Sequence, residues 1–416
     1  MNAHLSIPET PWRSVAERLL ASVAIKVELP PSKHRLMVER KEAIENHLER
    51  IGSPLRGRIR LFYQHGSVAI GATIRAKFRF EGFDIDIIVE LEVPEFTPSQ
   101  ALNLLYEAMR GDPGSRYYSM TTRQTRCVTV HYADGMHIDL TPSELIDEHD
   151  PRQSFIFHSK PEEPRDQDRK VLTNSYGFVE EYLTRCPVDL PFQQEYARRA
   201  IAADQGLIDM QMDADSLPVP KHSTVVGGKS AVTVAVQLIK RNRNIRWARR
   251  NRRMPASVMF SCLALEVAQS GRSIGQNLRI ISLHILNRLT AAQTTGNLIC
   301  VENPRCPGDF FTDRWPEDLS AQDILIADMR LFIQQLDILL DENRSLATRW
   351  DILKAMFGEE VGQSVVDDLQ NEIELAIRTG QHGFGATGGI IMSPAVATAK
   401  PAIKPSTFFG SKWSRR

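Results

Sequence analysis

The chain lacks the features that would place it outside a reducing compartment. Its five cysteines, Cys127, Cys186, Cys262, Cys300 and Cys306, are odd in number and contain no C-x-x-C pair. A disulfide-stapled scaffold and a dithiol redox motif are therefore excluded as organising principles. Cys300 and Cys306 stand closest together, but two further ligands cannot be found near them, so a structural zinc site is not expected. No apolar run approaches the about eighteen residues needed to cross a bilayer, and no signal peptide is visible. The expected home is the cytosol, with no membrane partner. Net charge is lacking too: 51 lysines and arginines balance 51 aspartates and glutamates. That balance argues against a surface coated for non-specific nucleic-acid binding and leaves only local patches.

What is present is enough hydrophobic sequence, 42% of 416 residues, to bury a large core. Two domains, or one large domain with an appendage, are expected. The most informative stretch is Phe62 to Val89, where a small-residue turn, Gly66-Ser67, precedes Asp84-Ile85-Asp86 inside an apolar run. Strand side chains alternate, so Asp84 and Asp86 project from one face while Phe83, Ile85 and Ile87 project from the other. Side-by-side carboxylates repel, and the arrangement makes sense mainly with a hard divalent cation such as Mg2+ or Mn2+ between them. A third carboxylate is available in Asp139, within the alternating run GMHIDL from Gly135 to Leu140. Gly66-Ser67 supplies the complement, because glycine permits close backbone approach and a helix starting there would aim its free N–H groups at an anion.

Alone, a D-x-D is as readily the wet face of an edge strand, and a Gly-Ser pair is usually an ordinary turn. In this order, however, the three features resemble the nucleotidyltransferase superfamily of DNA polymerase β. The resemblance implies two metal ions held by Asp84, Asp86 and Asp139, two Mg2+ with Mn2+ as a substitute. It also implies phosphate contacts from Gly66 and Ser67, with Gln64 just upstream among the nucleotide-binding positions. The gap between Ser67 and Asp84 is longer than in many polymerases, though cyclic-nucleotide synthases of the superfamily accept such lengthening.

The remaining sequence fits that order. Trp12 to Val27 and then Ser32 onward read as helices, the second with Met37, Ile44, Leu48 and Ile51 at helical spacing. Arg58 to Tyr63 reads as a strand. Ser99 to Arg110 reads as a helix capped by Ser99, and Ala133-Asp134-Gly135 as a hairpin turn. The polar, proline-containing segment Asp147 to Asp168 is expected to be the exit from the catalytic domain. Beyond it, helical patterns are predicted at Asn174–Arg185, Pro191–Ala203, Ala231–Arg243, Pro255–Gln269, Leu278–Thr290, Ser320–Asp341 and Val365–Thr379. Gly227-Gly228-Lys229-Ser230 lacks the first glycine and the preceding strand of a phosphate loop, and reads as a helix entry. The glycine-, alanine- and proline-rich end reads as a tail. The expected division is 1–165 for N-terminal helices and palm, 166–382 for a helical domain and 383–416 for a flexible tail.

Within the helical half, Ala231 to Ala264 carries a second pattern: a helix, a lysine-arginine pair, a basic loop, then a small residue before a serine. It is similar to the synthases related to oligoadenylate synthase and cyclic GMP-AMP synthase, in which such a lysine and serine reach the triphosphate. The matching positions are Lys240 and Ser257. Arg241, Arg243, Arg246, Arg249, Arg250, Arg252 and Arg253 form the most basic run, read by default as a solvated face. The segment Gly308 to Trp315 resembles a loop of bacterial family members beside the active site, with Trp315 as core.

Over roughly residues 33–380 the chain resembles the bacterial CD-NTases, the cGAS/DncV-like synthases of anti-phage signalling. The implied fold class is α+β: a polymerase β-like palm with a C-terminal helical bundle. The implied activity joins nucleoside triphosphates, ATP among them, into a cyclic di- or trinucleotide with release of pyrophosphate. An activator of ubiquitin-transfer or HORMA type is the implied partner, and no nucleic-acid template is needed. A template-free RNA nucleotidyltransferase and a silent scaffold on the same fold stay open, although near-neutral charge disfavours the first and the intact aspartates the second. Thr407-Phe408-Phe409-Gly410 resembles the conjugation handle of some family members, with Ser411 to Arg416 beyond it.

Overall fold

The structure is a computed structural model that describes residues 14–75, 83–93, 96–146, 152–212, 229–378, 382–384 and 390–392. Trp12, Gly227, Gly228 and the Thr407–Gly410 segment lie outside the described residues. The chain divides into two compact units, Met1–Val365 and Val366–Arg416.

Two helices open the first unit, α1 (Val15–Val27) and α2 (Pro31–Leu48). Pro31 sits at the first helical position, where its missing N–H costs nothing and its fixed φ is already helical. Met37, Ile44 and Leu48 are buried as their spacing predicts. Ile51 is not part of that stripe; it lies past the helix end and is 85% exposed.

β1 (Ile59–Gln64) leads to a single turn, α3 (Gly66–Ala69), and then to β2 (Asp84–Leu91). α4 (Pro98–Arg110) follows, capped by Thr97 rather than Ser99 because Pro98 occupies its first position and Gln100 closes a capping box with Thr97. β3 (Thr121–Arg123), β4 (Val128–His131) and β5 (His137–Leu145) come next, the last two joined through Gly135 at φ 84°. The segment expected as an exit instead carries β6 (Ser154–His158), and β7 (Arg169–Thr173) continues the sheet beyond residue 165. The strand order is β1-β2-β5-β4-β3, with β6 on β5 and β7 on β6. Among the described residues of this sheet, β2 and β5 run parallel and the other pairs are antiparallel. Ile85, Ile87 and Val89 of β2 and Ile138 and Leu140 of β5 enter one core with Met37, Ile44, Leu105 and Met109. One sheet face is thus covered by α2 and α4, and the carboxylates of β2 are left on the other.

The rest is mainly helical: α5 (Ser175–Arg185), α6 (Leu190–Met212), α7 (Ala231–Trp247), α8 (Ser257–Leu265) and α9 (Ile274–Thr294). A small hairpin follows, β8 (Glu302–Asn303) with β9 (Cys306–Phe310), then α10 (Leu319–Leu340), α11 (Leu346–Phe357) and α12 (Glu359–Arg378). α7 is buried on all sides, with Val232, Val234, Val236, Leu238 and Ile239 all inside, which makes it the axis of the helical part. It packs against α1, α9 and α11. α1 therefore belongs with the later helices, not with the palm. Its Glu17 accepts from the backbone N–H groups of Ile274 and Gly275 and from the Ser273 hydroxyl, a carboxylate at the positive end of α9. Gly275 must be glycine, since a Cβ there would stand 2.7 Å from that carboxylate. In the second unit β10 (His382–Phe384) pairs antiparallel with β11 (Ile390–Met392), at the start of the 383–416 stretch expected as a flexible tail.

Candidate active site

The site begins where β1 runs out. The His65 backbone N–H donates to the Asp86 carbonyl at 3.0 Å, which locks the end of β1 to β2. Gly66 then turns at φ 61°, and a Cβ there would lie 2.7 Å from Asp86 Oδ2. Both the dihedral and the close approach require glycine. α3 is one turn long, so its dipole is small; what it offers an anion is the unpaired N–H groups of that first turn.

In the parallel ladder Asp86 stands opposite Asp139. Burial pushes the Asp86 carboxyl up to about 6, the Asp139 charge adds to this, and Lys240 opposes it. Asp139 accepts from the Thr129 hydroxyl at 2.5 Å. Asp84, at the exposed start of β2, lies 3.6 Å from Nδ1 of His137. Two of the three expected carboxylates are thus brought together, and the third shares their face two residues away. Among the described residues no group of three or more His, Cys, Asp or Glu side chains converges closely enough to hold an ion unaided. Mg2+ is commonly held by one or two carboxylates plus substrate phosphates, so the Asp86–Asp139 pair fits a metal that arrives with a nucleotide. The hard oxygen donors, and a buried Asp86 carboxylate with the Asp139 charge beside it, both suit a divalent cation.

Several groups around the pair went unnoticed in the sequence. The His65 imidazole is fully enclosed, and burial pushes it down to about 4 despite the pull of Asp139. The Cys127 thiol is pushed up to about 12, by burial first and the Asp139 charge second. Thr129 was recoverable: counting outward from the turn at Asp134 sets it opposite Asp139.

A clasp from α7 holds the backbone that follows α3. Lys229, just before α7, donates to the Gly71 carbonyl. Lys240 donates to that of Ala72 at 2.6 Å, and Gln237 to that of Thr73 at 2.9 Å. Lys229 also pairs with Glu28 at 2.7 Å, both side chains being about 95% buried. Burial lowers the Lys240 ammonium to about 7, helped by nearby Arg243 and opposed by Asp86. Lys240 is therefore within electrostatic reach of the carboxylates while one of its donors is engaged with the chain itself. It does not end its helix, which continues to Trp247.

Ser257 opens α8, which packs against α3. Gln64 is not brought to the site. It stands opposite Ile87, so it shares the core face, and its amide lies 3.5 Å from Sδ of Met37. The basic run is also corrected, because most of it is structural. Arg241 donates to Phe357 O at 3.0 Å, Arg243 to Pro255 O at 2.7 Å, and Arg250 grips Asp328 with both terminal nitrogens. Arg252 and Arg253 pair with Asp318 and Glu317, whereas Arg249 is exposed. Trp315 is buried as expected.

The family model for the Second Messenger Oligonucleotide or Dinucleotide Synthetase domain matches residues 16–154. The chain is 34% identical over 400 residues to the cyclic dinucleotide synthase CdnG of Bradyrhizobium diazoefficiens, covering 96% of this chain and 94% of that one. This chain belongs to the CD-NTase family of cyclic-oligonucleotide synthases. A c-di-GMP synthase of Roseivirga ehrenbergii is 21% identical over 403 residues, 95% of this chain and 97% of its own. Among solved structures, Bradyrhizobium diazoefficiens CdnG in complex with GTP superposes with a TM-score of 0.74 at 32% identity, covering 87% of this chain and all of that one. The E. coli MS115-1 CdnC:HORMA-deltaN complex gives a TM-score of 0.55 at 14% identity over 83% and 97% of the two chains, a likeness of fold. As a CD-NTase the chain is a nucleotidyltransferase, and the palm with its helical part is the fold of that family. Family membership leaves the neutral balance of charge unremarkable, since nucleoside triphosphates need a local pocket rather than a basic track. Among the described residues no helix is long and apolar enough to cross a membrane.

Proposed function

We propose that this CD-NTase uses GTP for at least one of its nucleotides and makes a cyclic dinucleotide at the Asp86–Asp139 pair. The observation that carries the location is the register of β2 and β5, which sets two carboxylates opposite each other beside a glycine turn. The guanine assignment is supported by CdnG, whose structure is in complex with GTP, and by the c-di-GMP synthase.

Asp86 and Asp139, joined by Asp84, would hold divalent metal, two Mg2+ ions in the full form. When bound, the metal acidifies the attacking hydroxyl and neutralises charge on the departing pyrophosphate. The residues of the chain supply position. Backbone N–H groups at Gly66 and Ser67 face the phosphates, and Thr129 fixes the Asp139 carboxylate by donating to Oδ1. Lys240 and Lys229 hold the loop that continues from α3 and place positive charge behind it. Ser257, on a helix packed against α3, is retained as a phosphate contact, and Gln64 is not. Each transfer forms one P–O bond to the acceptor hydroxyl and breaks the bond to pyrophosphate.

Incubating the purified protein with each nucleoside triphosphate singly and in all pairs, then with phosphatase, tests this reading. Mass spectrometry should find a resistant cyclic dinucleotide containing guanine whenever GTP is present. A resistant product formed only without GTP would overturn the guanine assignment. The family assignment further supports a cytoplasmic role in antiviral signalling, with an activator of HORMA or ubiquitin-transfer type as partner. Its readout is loss of phage protection by cells carrying an inactive variant.

A further inference from the structure

A synthesis in two transfers poses a spatial problem for the acceptor. In the first transfer its hydroxyl attacks the donor α-phosphate, and the acceptor keeps its own 5′-triphosphate, which must stand clear of the metal-binding carboxylates yet remain in the cleft. The palm carries a group of cations suited to that task, outside every site described above.

The pleat places them. Asp139, Thr141 and Ser143 share one face of β5, and Ser143 pairs with Ile156 of β6. His158, two residues on, shares the face, and Arg169 of β7 stands directly opposite it. His158 and Arg169 therefore lie on the same face as Asp139, with Arg169 displaced by roughly 12 Å, two strands across and two residues along. Arg126 leans into this position, its Nε donating to Nδ1 of His158 at 3.1 Å. Arg314, from the loop after β9, and Arg253, from the loop after α7, add their charges to it. Three carboxylates oppose them: Arg126 pairs with Asp313 at 3.0 Å, Arg253 with Glu317 at 3.6 Å, and the Glu163 charge reaches His158. Arg169 and Arg314 are exposed, and among the described residues neither has an ion pair within 4 Å. Crowding of like charge is felt by the groups themselves. Burial and then the Arg126, Arg169 and Arg314 charges hold the His158 imidazole below its usual range. Converging guanidiniums are the side chains best matched to phosphate oxygens, which they bind in pairs.

We propose that Arg126, Arg169 and Arg314 form an anion subsite that holds the 5′-triphosphate of the acceptor nucleotide during the first transfer. The subsite rests on the synthase reading above and deepens it. Released pyrophosphate offers the same chemistry, and the test separates the two.

The test is a competition in which GTP is the donor and labelled GTP and GMP compete at equal concentration as acceptors. Linear and cyclic products of the triphosphate acceptor are counted against pGpG. Wild-type protein should favour the triphosphate acceptor, and Arg169→Ala/Arg314→Ala should reduce that preference about tenfold, the loss of roughly one to two phosphate contacts. Arg169→Lys/Arg314→Lys should restore part of it. Equal slowing with both acceptors would show that the cluster serves the leaving group or the fold, and would overturn the proposal. An unchanged preference would overturn it as well. Absence of any guanine dinucleotide from wild-type protein would remove the synthase reading beneath it, a result distinct from both.

Discussion

Replacing Asp86 by Asn should abolish synthesis and, at the same time, stabilise the metal-free protein. The Asp86 carboxyl, at about 6 in the fold against an ordinary 3.8, is shifted by burial and by Asp139, already net of the attraction of Lys240. A shift of this size corresponds to about 3 kcal/mol. The sign follows from proton binding. Below pH 3.8 the carboxyl is protonated whether folded or unfolded; between 3.8 and 6 the folded protein holds the extra proton, so stability falls as pH rises through about 6. Asn cannot ionise, so the variant escapes that loss. For a unit of 365 residues, an unfolding entropy of about 0.8 kcal/mol/K makes 3 kcal/mol worth about 4 °C in Tm. Calorimetry in chelator should therefore show Asp86→Asn melting about 4 °C above wild type at pH 8, with the gap closing by pH 4. Adding Mg2+ and a nucleotide should raise wild type and leave the variant behind. A variant that melts lower than wild type at pH 8 in chelator would refute the reasoning that the Asp86 charge, buried beside Asp139, destabilises the metal-free fold.

Three further perturbations follow from neighbouring contacts. Gly66→Ala should remove activity and cost about 1–3 kcal/mol in urea unfolding, since it forces a Cβ against the Asp86 carboxylate at a left-handed φ. Lys229→Met should destabilise by about 3–5 kcal/mol by leaving the buried Glu28 charge without its counter-ion and, among the described residues, with only the Gln237 amide donating to it, and Glu28→Gln added to it should recover much of the loss. Thr129→Val should lower kcat by about tenfold or more with little change in KM, because the hydroxyl positions a carboxylate rather than a substrate; Thr129→Ser should restore it.

The parts of this site visible in the sequence were those set by strand alternation. Asp84 and Asp86 were legible because Ile85 and Ile87 alternate with them, and Asp139 because the Ala133–Gly135 turn fixes the strand that carries it. Gln64 misled because the resemblance named it, whereas its cross-strand partner Ile87 turns it toward Met37. The arginines after Lys240 read as a solvated face because a sequence shows charge but not the carbonyls that receive these side chains, that of Pro255 in the following loop for Arg243 and those of Phe357 and Met356, far along the chain, for Arg241 and Asn242. β6 was hidden in a polar segment, since a short strand of SFIFH in such surroundings has too few residues to display a period. α11 was missed for a related reason: its inward residues, Leu353, Met356 and Phe357, cluster at one end. The clasp on Gly71, Ala72 and Thr73 depends on contacts more than 150 residues apart, and no local pattern encodes it.

If the paired aspartates on β2 and β5 perform nucleotidyl transfer that ends in a ring, synthesis depends on both carboxylates. The most direct test is the yield of phosphatase-resistant product from α-labelled GTP in Mg2+, compared among wild type, Asp86→Asn and Asp139→Asn. Wild type should give a resistant cyclic product and either variant none above background, each still folded by circular dichroism. Wild-type yield from either variant would contradict that dependence.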